Sequence, residues 1–292
     1  MSDLAQSIDK QLESNRGKNI FAEDHSLFQF IQDTVKSVAE IRDTPENTKE
    51  FLINYAADKA IEEFYKVNQY YSFNAVSKRE LRTIYTELFA ALHEENANIE
   101  AISEQHFENL KNWLKSSNPF AEKIYSDQDG IIENVACAEY SPELQIDILK
   151  IDPNNIMQPV LDIGCGENSY LVNFLKNIGI DAYGIDRFNF NENHLENTDW
   201  LEFDYGIEKW GCILSNLGFS NHFIHHNMRE EGNYIAYGQT YMRILQSLKK
   251  GGSFHYAPSL PFIEQYLNPD QFSVKQYDIS KCEYNISIIS KL

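Results

Sequence analysis

The chain has 292 residues, 42% of them apolar and 13% aromatic, enough for one large domain or two modest ones with a packed core. Its net charge is −19, with 27 acids against 15 bases over 1–150 and 17 against 10 over 151–292. Neither part offers a basic face for a polyanion, so no nucleic-acid and no membrane partner is expected, and a neutral or cationic substrate suits the field.

No apolar run approaches the roughly 18 residues of a membrane span. Met1-Ser2-Asp3-Leu4 has neither the basic start nor the apolar core of a signal peptide, so a cytoplasmic location is expected. Cys137, Cys165, Cys212 and Cys282 form no Cys-x-x-Cys pair, which gives no metal or redox motif, and all four are expected to be reduced.

The first 115 or so residues read as helical. Leu27, Phe28, Ile31, Val35 and Val38 recur at helical spacing, and Thr44-Pro45 has the form of a cap followed by proline at the first helical position. Phe51, Leu52, Tyr55, Ile61, Phe64 and Tyr65 continue the pattern. Ser77-Lys78-Arg79-Glu80 has the form of a capping box, opening a helix with Leu81, Ile84, Tyr85, Leu88 and Leu92 inward. Phe107, Leu110, Trp113 and Leu114 mark another helix. Turn residues crowd 116–134, which reads as a linker. Domains are expected at 1–135 (helical) and 136–292.

Ser141-Pro142 starts a helix leading to the apolar strand Pro159-Val160-Leu161-Asp162-Ile163 and then Gly164-Cys165-Gly166. A glycine turn running into a helix offers free N–H groups and close backbone approach. Asp162 would repel a phosphate and would attract a cationic ligand. Beyond it, short apolar strands alternate with amphipathic helices, the pattern of a doubly wound α/β sheet. Gly184-Ile185-Asp186-Arg187 ends a second strand 22 positions after Gly164. The last two apolar runs, from Phe272 and from Tyr284, have no helix between them and read as a hairpin.

Val160 to Gly166 resembles motif I of the class I S-adenosylmethionine (SAM)-dependent methyltransferases. Trp200 to Tyr205 is similar to that family's third strand, Cys212 to Asn216 to its fourth, and Leu248 to Phe254 to its fifth. The likeness covers about 136–292. It departs at Asn168, where many members have a third glycine, and it lacks the Asp/Asn-Pro-Pro-Tyr signature of enzymes that methylate planar nitrogens. The resemblance implies a Rossmann-like methyltransferase sheet with a terminal antiparallel strand, SAM as cofactor, and methylation of an N or O atom in a small molecule or peptide. It implies that Asp162, Gly164, Cys165, Gly166, Ser215 and Asn216 line the cofactor. Asp186 and Arg187 would hold the ribose end, and Asp204 and Tyr205 the adenine end. His222, His225 and Tyr140 are the candidate catalytic or acceptor-orienting residues, on the loop after the fourth strand and ahead of the first. His222 and His226 share a helix face but want a third metal ligand, so no metal is expected. The alternatives are a protein that binds SAM without turnover, acting through its helical part, and a nicotinamide dehydrogenase, which would want glycine where Ser169 stands.

Overall fold

The computed structural model describes residues 3–22, 28–42, 44–94, 97–126, 130–132, 140–278 and 284–292. Met1, Ser2, Leu27, Cys137 and Cys282, named above, lie outside them, as do 127–129 and 133–134 of the expected linker. The chain divides into two compact units, Met1–Cys137 and Ala138–Leu292.

The first unit is helical: α1 (Asp3–Asn15), α2 (Gln32–Arg42), α3 (Glu46–Val67), α4 (Ala75–Leu92), α5 (Ile99–Ser117) and α6 (Phe120–Tyr125). Its core is aromatic, with Phe73 stacked on Trp113 at 4.6 Å and the Trp113 indole donating to the Ser77 carbonyl at 2.8 Å. Ala56, Ala57 and Ala60 let the neighbours of α3 come close. Leu81, Tyr85 and Leu92 are buried along α4 as the spacing predicts.

Three boundaries differ from the sequence expectation. The capping box at Ser77 does not open α4. Asn74 does, its side chain accepting from Val76 N–H at 3.0 Å and Ser77 N–H at 2.9 Å, and Ser77 merely donates to Asn74. A short amide with extended backbone satisfies two orphan donors at once, so the helix starts a turn early. Before α3, Pro45 rather than Thr44 holds the cap position, with ψ 149° and no side-chain cap. Residues 116–126 are no linker. α5 runs to Ser117 and α6 buries Phe120, Ala121 and Tyr125 in the helical core.

The second unit continues with α7 (Pro142–Ile148), β1 (Val160–Ile163), α8 (Tyr170–Asn177), β2 (Ala182–Asp186), β3 (Leu195–Asn197) and β4 (Trp210–Asn216). It closes with α9 (Phe219–Asn227), α10 (Tyr234–Ser247), β5 (Leu248–Ala257), α11 (Pro261–Glu264), β6 (Phe272–Asp278) and β7 (Asn285–Lys291). The strands form one sheet in the order β3-β2-β1-β4-β5-β7-β6. β1 to β5 pair in parallel, and β7 runs antiparallel between β5 and β6.

Both faces of the central strands are covered, which is why β1 and β4 read as unbroken apolar runs and every residue of each is buried. Leu161, Ile163 and Ile213 pack on one face with Phe219, Tyr237 and Tyr241. Val160, Cys212 and Leu214 pack on the other with Leu171 and Leu175. β1 lies between β2 and β4, so the chain's direction of winding reverses there and a crevice opens at the carboxyl ends of β1 and β4.

The resemblance to a third strand at Trp200 to Tyr205 is corrected. The strand is β3, five residues earlier, and the later segment is a tight turn. Asp199 accepts from Leu201 N–H at 2.8 Å through its side chain, and from Glu202 and Phe203 N–H through its carbonyl, each at 2.9 Å. Those three N–H groups are thereby not free for a ladder.

Candidate functional site

The turn after β1 is built around Gly164 at φ +79° and Gly166 at φ +77°. A Cβ on Gly164 would lie 3.2 Å from the Trp200 ring and 3.7 Å from the Cα of Gly218, the residue that precedes α9. Loop backbones from β1 and β4 therefore meet beneath one indole. Cys165 is buried, its Sγ 3.7 Å from Ser169 Oγ. Gly184 on β2 is what admits that thiol, since a Cβ there would stand 2.8 Å from the sulfur.

Asp186, at the end of β2, ties this turn down. Its Oδ2 accepts from Gly166 N–H at 2.9 Å and its Oδ1 from Arg187 N–H at 2.7 Å. Thr198 N–H donates to the Asp186 carbonyl at 2.9 Å, which brings the residue after β3, and Asp199 behind it, to the same edge.

Asp162 is 2% exposed, and no hydrogen bond from the described residues reaches its carboxyl. Burial, with Asp186 nearby, pushes its pKa up to about 7. Burial and the second acid both favour the neutral form of Asp162 at this turn.

Asn216 closes β4. It is 9% exposed, and both its Nδ2 and its Oδ1 are buried without a hydrogen-bond partner. Such a group costs about 1–3 kcal/mol unless something bonds it. Ser215 beside it is fully buried; its hydroxyl donates to the Ile163 carbonyl at 2.9 Å and accepts from Phe219 N–H at 3.1 Å, stapling β4 to β1. Tyr205 is likewise internal, its hydroxyl donating to the Trp200 carbonyl and its own carbonyl accepting from the Trp210 indole. The hydroxyls of both residues are thus taken up by bonds within the protein. Asp204 is exposed and its Oδ1 accepts from Gly206 N–H at 3.0 Å, closing a turn.

The histidines sit on α9. His222 is 4% exposed, edge-on to Trp200 at 4.7 Å, with the Tyr237 hydroxyl 3.4 Å from Nδ1. Burial, with Arg187 next, holds its pKa well below the ordinary value. His226 is 6% exposed and stacks on Tyr237 at 4.9 Å; its Nδ1 accepts from Asn233 N–H. Burial and Arg229 hold His225 down to about 3 and His226 to about 4. All three are neutral at pH 7. No cluster of three metal-binding side chains occurs among the described residues. Tyr140 precedes α7, where its carbonyl accepts from the Gln145 amide at 2.9 Å. His255 and Tyr256 on β5 are packed, His255 between the Leu149 carbonyl and Ser253.

Trp200 is the residue that sequence reasoning passed over. A large aromatic beside a fixed glycine turn is visible only once 199–203 is seen to fold back.

No family model matches the chain, and no curated protein matches it. Among solved structures it resembles a TehB-like SAM-dependent methyltransferase from Corynebacterium glutamicum, at 13% identity over 66% of this chain and 99% of that one, TM-score 0.38. It also resembles 1,6-didemethyltoxoflavin-N1-methyltransferase from Burkholderia thailandensis, bound to S-adenosylhomocysteine, at 16% identity over 51% and 75%, TM-score 0.34. A third is an rRNA methylase from Streptococcus thermophilus, at 12% over 54% and 99%, TM-score 0.36. Scores this low leave the chain's own topology as the ground for its fold. The order β3-β2-β1-β4-β5-β7-β6, with β7 antiparallel, is that of the class I methyltransferase sheet.

Proposed function

We propose that the chain is a SAM-dependent methyltransferase acting on an N or O atom of a small molecule or peptide. The observation that carries this is the pairing of Asp162 and Asp186 at a glycine turn on the switch point of the sheet. Two adjacent carboxyls oppose a pyrophosphate and favour a ligand with positive charge, which separates SAM from a nicotinamide dinucleotide.

The residues present fit such a ligand. Gly164 leaves bare backbone where a side chain would press on Trp200, and the buried Asn216 amide has hydrogen-bonding capacity that no protein group takes up. When bound, SAM supplies an electrophilic methyl group on a sulfonium. Asp162, Gly164, Cys165 and Gly166 would hold its methionine end, and Asp186 with Arg187 its ribose. Asp199, next to the Asp186 edge, is better disposed than Asp204 toward the adenine side. Asn216 faces the same ligand or the acceptor. Alignment of the reacting atoms contributes about 7–11 kcal/mol in reactions of this type, so few catalytic side chains are required.

A hydroxyl acceptor needs a base within reach. His222 and His226 are too deeply packed to touch one, while an amine arriving neutral needs none. His222 then acts as a positioning residue, through Trp200. His225, less buried, remains the candidate base, and Tyr140 a candidate for steering the acceptor.

Thermal unfolding with added ligand tests the reading. S-adenosylhomocysteine at about 100 times its dissociation constant should add about 2.7 kcal/mol of stability, and NAD should add nothing. Asp186→Ala should abolish the protection while circular dichroism stays native. Protection by NAD alone, or by neither, overturns the assignment. Protection without turnover of any amine in an extract given labelled SAM favours the non-catalytic alternative.

A further inference from the structure

The helical unit holds two adjoining cavities, of about 100 Å³ and about 80 Å³. Leu12, Phe28, Tyr85 and Leu110 line both. The larger is walled mainly by apolar side chains, Phe30, Leu52, Leu88, Phe89 and Phe107 among them. Phe28 and Phe107 stack at 4.1 Å, so the wall is flat on one side.

Two polar atoms on this wall have no partner. Ser7 Oγ, on α1, is buried without a hydrogen bond, in a residue only 8% exposed. His106 Nδ1, on α5, is buried and unbonded too, with the Tyr85 ring edge-on at 5.0 Å. Gln11 and Ser103 on the same wall are satisfied. Gln11 Oε1 accepts from Ile31 N–H and the Thr34 hydroxyl, and Ser103 Oγ accepts from Phe30 N–H and donates to the Phe28 carbonyl. Buried orphans on an otherwise apolar wall call for a group that brings its own polar end. A wholly apolar cavity of about 150 Å³ admits a benzene ring, and here the two orphaned atoms add a polar end to such a space.

We propose that this cavity is a binding site for a small uncharged ring compound with one hydroxyl or carbonyl group, its ring among Phe28, Phe30, Phe89 and Phe107 and its polar group at Ser7 and His106. Such a ligand pairs the orphaned atoms and fills the apolar space in one step. All of its lining residues belong to the helical unit.

Calorimetric titration of the full chain with phenol and with toluene tests it. Phenol should bind saturably at one site, and more tightly than toluene. Ser7→Ala should weaken phenol about five- to tenfold and leave toluene unchanged. Ser7→Leu, which fills the space, should abolish both. If that variant does not fold, the Ser7→Ala comparison decides alone. Absence of phenol binding, which would mean water or nothing fills the cavity, overturns the proposal. So does phenol binding that Ser7→Ala leaves intact, or a loss equal for phenol and toluene.

Discussion

Asp162 turns from a motif letter into a measurable quantity once its burial is known. Its folded pKa is about 7, while the unfolded chain has the ordinary carboxyl near 3.8. Folded protein thus keeps a proton that unfolded chain gives up between pH 4 and 7. The stabilising effect of that proton is fully present below about pH 4 and is lost as pH rises through 7. Asp162→Asn keeps the neutral state at every pH. Denaturant titration of the unliganded variant at pH 8 should find it more stable than the parent by roughly 2–4 kcal/mol, with the difference vanishing near pH 4. An equal difference at both pH values would mean that packing, not charge, is responsible. The same linkage makes binding of a cationic ligand strengthen as pH rises toward 7, because the cation displaces the proton. The histidines of α9 run the other way. Their depressed pKa values, about 3 for His225 and about 4 for His226, withdraw stability as pH falls below 6.5.

At the scale of elements, the helix α4 shows how a local rule is outcompeted. Ser-x-x-Glu at Ser77 has the pattern of a cap, yet Asn74 takes two backbone donors and places Ser77 inside the first turn. Asn74→Ala should therefore lower stability by about 1 kcal/mol in urea unfolding. Ser77→Ala should cost clearly less, and a reversed ranking would restore Ser77 as the cap. β3 teaches a similar lesson. Leu195–Asn197 is short and only half-buried at Leu195, so it carries little hydrophobic signal, whereas the apolar Trp200-Leu201 stretch draws the eye to a turn. β1, β4 and the β6–β7 hairpin were legible because burial on two faces, or a missing crossover helix, writes itself into composition.

For the molecule as a whole, charge is the most general constraint. At −19, with both units acidic, phosphate-bearing partners meet a repulsive field that salt only screens. Electrophoretic mobility of labelled single-stranded RNA should not change on adding the protein at physiological ionic strength. A shift that weakens with salt would reopen RNA as a partner. Among the described residues no helix is long and apolar enough to cross a membrane.

Order along the chain was enough to specify a helical part, an α/β part, the glycine turn after β1 and the acid that closes β2, because these depend on periodicity and on neighbours within a few residues. Which acids crowd one another, that Trp200 lies over Gly164, that Ser215 is a staple while the Asn216 amide stands unbonded, and that Ser7 and His106 share a cavity were decided by tertiary structure alone. Those facts join residues tens of positions apart. Burial and electrostatic coupling depend on distance in space, and a linear pattern records that distance only where the backbone repeats.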